Sequence, residues 1–144
     1  MNAFLNQYQN NQVSTASPER ILIMLYDGAI RFANRAKESL AAGDMEGKVD
    51  GINRTIAIVT ELSTTLDHKV GGQIAAELDA LYGFMVRELS RANLKNDSKA
   101  LESVDGLLRH LRETWVQAIE VVQQDRNNGV AGQRRQGESA AAAI

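Results

Sequence analysis

Asn11-Gln-Val-Ser-Thr-Ala-Ser-Pro-Glu-Arg-Ile-Leu-Ile-Met-Leu-Tyr-Asp-Gly-Ala-Ile-Arg-Phe32 joins a polar, non-periodic arm to the start of an unusually apolar helix. Ser17 is placed to cap that helix with its hydroxyl. Pro18 falls at the first helical position, where a missing N–H costs nothing, and Glu19 sets negative charge at the positive end of the dipole. The helix therefore starts at a defined residue. From Ile21 to Tyr26 every residue is large and apolar, whereas a helix that merely faces a core needs three or four such residues per two turns. Something besides the core must cover the rest. Asp27-Gly28 would signal a turn elsewhere, yet the helical pattern continues to Ala36. Gly28 is therefore a close-packing position, at a local cost of about 1 kcal/mol relative to Ala.

Outward from this stretch, a single Pro in 144 residues and a few short breaks imply helices and little else. The first helix runs from about Pro18 to Leu40, where Gly43 suits the left-handed position after a helix and Asp44 can cap the next. The second spans about Met45 to Leu66 and breaks at His68-Lys-Val-Gly-Gly72. A third runs from about Gln73 to Asn93, and Leu94-Lys-Asn-Asp-Ser98 supplies a turn with Asp97 or Ser98 as cap. The fourth continues to about Gln124. Links this short force neighbours antiparallel, so the expected fold is all-α, an antiparallel up-down four-helix bundle with an N-terminal arm packed over an apolar groove. The chain divides into an arm (1–17), the bundle (18–124) and a polar tail (125–144) that lacks a periodic face and is expected to be disordered.

Composition restricts function. With 44% hydrophobic and 24% charged residues the chain can bury a real core as one domain. No Cys is present, which removes disulfides, thiolate metal sites and cysteine nucleophiles. The N-terminus does not read as a signal peptide, and no stretch approaches the roughly 18 apolar residues of a membrane span. A cytosolic protein without membrane insertion is expected. A net charge of -2 with scattered Lys and Arg gives no footprint for nucleic acid.

Placed about 100° apart, the apolar residues of the fourth helix make one stripe from Leu101 through Leu108 and Trp115 to Val122, with Val116 and Val121 outside it. The first helix is wider. Ile21, Leu22, Leu25, Ala29, Phe32, Ala33 and Ala36 form its stripe, which Ile23, Tyr26 and Ile30 extend to roughly 220°. In the second helix the stripe is Val49, Ile52, Ile56, Val59 and Leu66, with Ile58 and Leu62 on a shoulder. In the third it is Ile74, Leu78, Leu81, Met85 and Leu89, with Tyr82 and Val86 on a shoulder and Phe84 further out. One shoulder alone is ordinary packing; three together exceed what a bundle core requires, and a large contiguous apolar surface marks a partner site. The candidate groove is Ile23, Tyr26, Ile30, Ile52, Ile58, Leu62, Tyr82, Phe84 and Val86. Phe4, Leu5, Tyr8 and Val13, isolated in a polar arm, are spaced to pin an extended segment. Phe4, Tyr8 and Val13 are the candidate lid.

Chemistry is sparse. A di-metal bundle needs Glu-x-x-His pairs on two helices, but the histidines are His68 in a break and His110 on the fourth helix, neither three residues after Glu. His110 also faces away from the core stripe, against a haem ligand. The alternative is a histidine phosphotransfer bundle using His110. Against it, Glu113 stands where a cation would help, and its charge opposes a phosphoryl group. No catalytic residue, metal ligand or cofactor is assigned.

The chain resembles the FliS family, the flagellin-specific export chaperones of the bacterial flagellum. The resemblance rests on Tyr8, Asn11-Gln-Val, Thr15-Ala-Ser-Pro-Glu19, Met24-Leu-Tyr-Asp-Gly-Ala29, Leu66-Asp67, Gly71-Gly72, Leu81-Tyr82, Ala92-Asn93, Asn96-Asp97 and Leu107-Leu108…Leu111-Arg-Glu…Trp115. It covers roughly residues 4 to 122; after Arg126 no family pattern is recognised. What it implies is an antiparallel helical bundle that binds the disordered C-terminal segment of flagellin without ATP or chemistry. Such a bundle prevents flagellin's polymerisation in the cytosol and helps deliver it to a component of the flagellar type III export gate. The resemblance also implies an arm that client displaces from an apolar groove, with Tyr8 and Val13 as lid residues. A monomer or weak dimer is expected.

Overall fold

The computed structural model describes residues 17–129, which form four helices and, among them, no strand: α1 (Pro18–Ala42), α2 (Met45–Thr64), α3 (His68–Lys95) and α4 (Ser98–Asn128). The starts are set by side-chain caps. Ser17 Oγ accepts from Arg20 N–H at 3.2 Å, Asp44 from Gly47 N–H at 3.0 Å, Asp67 from Val70 N–H at 3.0 Å and Asp97 from Lys99 N–H at 3.0 Å. Each replaces a hydrogen bond that a helix start cannot make for itself. Gly43 ends α1 in the left-handed region, as its position predicts, and Asn96 ends α3 there with φ 52°. Turns this short make successive helices antiparallel. The helices pack as a ring in which α1 touches α2 and α4, and α3 touches α2 and α4.

Two boundaries differ from the sequence reading. The break moves from His68–Gly72 to the turn Thr65–Asp67, because Asp67 caps a helix that starts at His68; within the expected break only Gly72 leaves helical geometry, at φ 51° and ψ -122°. That backbone region is open to glycine and strained for other residues. At the other end α4 runs to Asn128, beyond the expected Gln124, and closes on Gly129 at φ 68°. Asp125 is thus buried on a helix rather than part of a polar tail.

The largest correction concerns which residues face inward. Tyr26, Ile52, Leu62 and Tyr82, expected in the groove, are fully buried in the core. Conversely, Ile21, Val49 and Ile74, expected in the core, are about two-fifths exposed at 40%, 38% and 38%. The cause is the size of the residues at the closest approaches. Ala36 of α1 and Gly51 of α2 are buried where these helices meet, as are Ser39 and Gly47, and Ala29 and Ala33 on α1 and Ala75 and Ala92 on α3 are buried too. A stripe traced through large apolar side chains drifts away from a face whose contacts are made by small ones. At Gly51 a β-carbon would lie 2.9 Å from the Phe32 carbonyl oxygen, so α1 and α2 meet backbone to backbone. Gly28 packs less tightly, its nearest neighbour being the tip of Ile58 at 3.2 Å from a β-carbon, in keeping with the close-packing role read from the sequence.

The core carries polar anchors. The hydroxyls of Tyr26 and Tyr82 meet at 2.6 Å across the ring, tying α1 to α3. Burial pushes the pKa of both above the usual tyrosine value, that of Tyr82 well above it. Lys48 of α2 is buried, and its ammonium donates to the Asn93 carbonyl at 2.9 Å and to the Asn96 side chain, which completes the end of α3.

Candidate binding surface

Polar bridges identify which shoulder of each helix faces which neighbour. At the α1/α2 seam Arg35 reaches Asp50 at 2.8 Å, and Arg31 and Arg54 both stand over the Phe32 ring, 5.4 Å from its centroid. At α1/α4, Arg112 Nε donates to Asp27, and Asp105 accepts from Lys37 at 3.5 Å and from Arg109 at 3.0 Å. Ser63 donates to Asp79 across α2/α3, where Lys48 also crosses. Among the described residues the α3 and α4 helices share one polar link, at the turn end, where Arg91 of α3 lies 3.5 Å from the side chain of Asp97, the α4 cap.

Beyond that pair the seam is apolar. Because Asp79 marks the α2-facing shoulder of α3, Ile74 and Leu81 lie on the opposite shoulder, toward α4. Asp105 and Arg112 mark the α1-facing shoulder of α4, which leaves Leu107, Leu111 and Val121 on the shoulder toward α3. Counted from the Asn96-Asp97 turn, Leu81 comes level with Leu111, and Ile74 with Ala118. Leu107 and Leu111 are half-buried against the core, while Ile74 and Val121 are exposed. Between these levels the seam therefore has an apolar floor and an apolar rim.

The remaining residues of the sequence-derived groove do not converge on one seam. Ile23, Ile30, Ile58 and Val86 are half-buried at the margins of the core. Ile23 lies at α1/α4 and Ile58 against Gly28 at α1/α2, and Val86 stands on the α2 side of α3, the side marked by Asp79. Phe84 is exposed at 38%. Phe4, Tyr8 and Val13 lie outside the described residues. Sequence reasoning missed Val70 and Leu94, exposed at 60% and 82%. Val121 was visible as an apolar residue outside its helix's stripe. His110 is exposed on α4, where Thr114 Oγ1 donates to its backbone carbonyl at 2.9 Å. No group of three or more His, Asp or Glu side chains among the described residues could hold a metal ion, and no helix there is long and apolar enough to cross a membrane.

Known proteins share this chain's pattern over most of its length. The flagellar protein FliS family matches residues 1–122. The chain belongs to the FliS family. It is 36% identical over 120 residues to flagellar secretion chaperone FliS of Bacillus subtilis, covering 83% of this chain and 89% of that protein. It is 42% identical over 106 residues to the Salmonella typhimurium FliS, covering 73% and 78%, and 39% identical over 114 residues to that of Campylobacter jejuni, covering 79% and 89%. Membership of FliS carries with it the role of a chaperone in flagellar export. The FliS match stops at residue 122, so the last turns of α4 and all that follows lie beyond it.

Proposed function

We propose that this FliS protein binds the disordered C-terminal segment of flagellin in the cytosol, keeps it from polymerising, and hands it to a component of the flagellar export gate. It acts as a monomer or weak dimer. The observation that carries this reading is the α3/α4 seam, an apolar surface whose polar link among the described residues is confined to the Arg91–Asp97 pair at its turn end, on a chain of a secretion-chaperone family. A segment that folds only against its partner requires apolar area and few fixed polar demands. Such coupled folding typically buries about 1,000–3,000 Å² and loses about 2–5 kcal/mol to ordering. Affinity therefore comes from area, and polar bridges across the seam would work against it by holding the helices together. The arm residues Phe4, Tyr8 and Val13 serve as a resting cover that client displaces.

The test uses Ile74→Asp and Val121→Asp, both at exposed positions. Each is expected to abolish calorimetric binding of a peptide spanning flagellin's C-terminal segment while helicity and melting stay as in the wild type. Folded variants that bind normally would refute the seam as the client site. Deleting residues 2–14 is expected to raise the peptide's affinity or leave it unchanged, because a cover reduces apparent affinity by the fraction of open molecules. A loss of affinity in the folded deletion variant would place the arm in the client site itself.

A further inference from the structure

Among the described residues Asp125 alone holds a buried side-chain polar atom with no partner: its Oδ2 accepts no hydrogen bond, and the residue is only 8% exposed. Its position adds to the cost. Asp125 lies in the last turn of α4, where unsatisfied carbonyls form the negative end of the helix dipole, so the carboxyl meets like charge as well as lost water. Asp105, the other buried aspartate, shows the contrast, because Lys37 and Arg109 both reach it. A buried acceptor left open in the folded chain calls for a donor from outside it.

The place of Asp125 on α4 says where that donor comes from. Asp125 follows Leu111 and Ala118 at a heptad spacing, on the shoulder toward α3, and stands one turn beyond the exposed Val121. It therefore carries the line of the α3/α4 seam on to its far end, level with the start of α3. At that level α3 supplies no partner: His68 and Lys69 are exposed and do not reach the Asp125 Oδ2. Their turn is separated from the rest of α3 by the kink at Gly72, so it can give way without unwinding the helix beyond.

We propose that Asp125 receives a lysine or arginine of the client segment and thereby sets the register in which that segment lies along the seam; the inference rests on the chaperone reading given above. An apolar surface supplies area but does not fix position, because an amphipathic helix slid by one turn presents a similar face. One buried polar contact removes that freedom. Every other register leaves the carboxyl open or buries the client's cation without a partner. Asp125 lies two helical turns, about 10 Å, beyond Ala118. The client's cation accordingly stands about two turns from the apolar residue that it seats at the level of Ile74 and Ala118.

The test is Asp125→Asn, which keeps the size and an acceptor and removes the charge. In the free protein it is expected to melt no lower than wild type, since no partner is lost; a lower melting point would reveal an internal cation on Asp125 and overturn the proposal. In calorimetry with the peptide spanning flagellin's C-terminal segment, the variant is expected to bind about tenfold or more weakly. Replacing the peptide's Lys and Arg residues by Gln one at a time is expected to reveal one position that weakens binding to wild type and makes no difference to Asp125→Asn. Equal binding by wild type and variant, or a weakening with no such position, sinks the inference and leaves the seam as the client site. A peptide that wild type does not bind at all refutes the chaperone reading, and the inference falls with it.

Discussion

The α1/α2 and α3/α4 seams are built by opposite means. At α1/α2, glycine and alanine bring two backbones into contact, and Arg35, Arg54 and Asp50 bridge the outer edge. At α3/α4, leucine, isoleucine and valine stand between the helices, and the polar link among the described residues is the Arg91–Asp97 pair at the turn end. The first arrangement leaves no room and specifies one register. The second leaves apolar surface unclaimed. A bundle that must hold itself together and also lend apolar area to a partner can divide the two tasks between seams.

The contrast breaks most visibly at Gly51. Gly51→Val drives a side chain into the Phe32 carbonyl, and denaturant titration is expected to show a loss of about 3 kcal/mol, in the upper range for overpacking. A loss below that of an ordinary surface variant would mean that α1 and α2 can separate freely. Next come the tyrosines that tie the two halves together. Tyr82→Phe leaves the buried Tyr26 hydroxyl without that partner and is expected to cost about 1–3 kcal/mol, more than the Tyr26→Phe/Tyr82→Phe pair, which removes both.

The same pair has a pH signature. Burial raises both folded-state pKa values above the unfolded 10.0, so the folded chain keeps protons that the unfolded chain releases. The stabilisation is complete below the unfolded value and is lost as pH rises from it toward the raised folded-state values. Alkaline unfolding of wild type is expected to steepen above pH 10.0 and to flatten in the double Phe variant. Smaller is Gly28→Ala, where the neighbour is the flexible tip of Ile58. The helix-propensity gain of about 1 kcal/mol roughly offsets the crowding, and the melting point should move little. Smallest in stability is Ile74→Asp, within about 0.5 kcal/mol, although it is the variant expected to remove client binding.

Much of the fold could be read from the chain. The helix starts at Ser17 and Asp44, the glycine stop at Gly43 and the antiparallel order follow from local chemistry that tertiary contacts do not override. The binding surface was legible only in part. Helical periodicity weighs Ile74 and Tyr82 by hydrophobicity, but their fate is decided by neighbours: Tyr82 turns inward because Tyr26 waits for its hydroxyl, and Ala75 takes the inward place beside Ile74. Gly51 carried a sequence signal, a glycine within a helical pattern, that is as useful as that of Gly28. The α3/α4 seam had none, because the scarcity of polar links there, confined among the described residues to Arg91–Asp97 at the turn, becomes visible only when all four helices are in place.

The ring also sets an order of assembly. Three of its seams join helices that follow one another through turns of two or three residues, so each can zip as a local hairpin. The α1/α4 seam alone must wait for a whole chain, and its bridges span the greatest separations, 85 residues for Asp27–Arg112 and 68 for Lys37–Asp105. Loop-closure entropy makes this the slow contact. A ribosome-bound chain can complete α1 and α2 early, but it cannot close the ring until α4 has emerged.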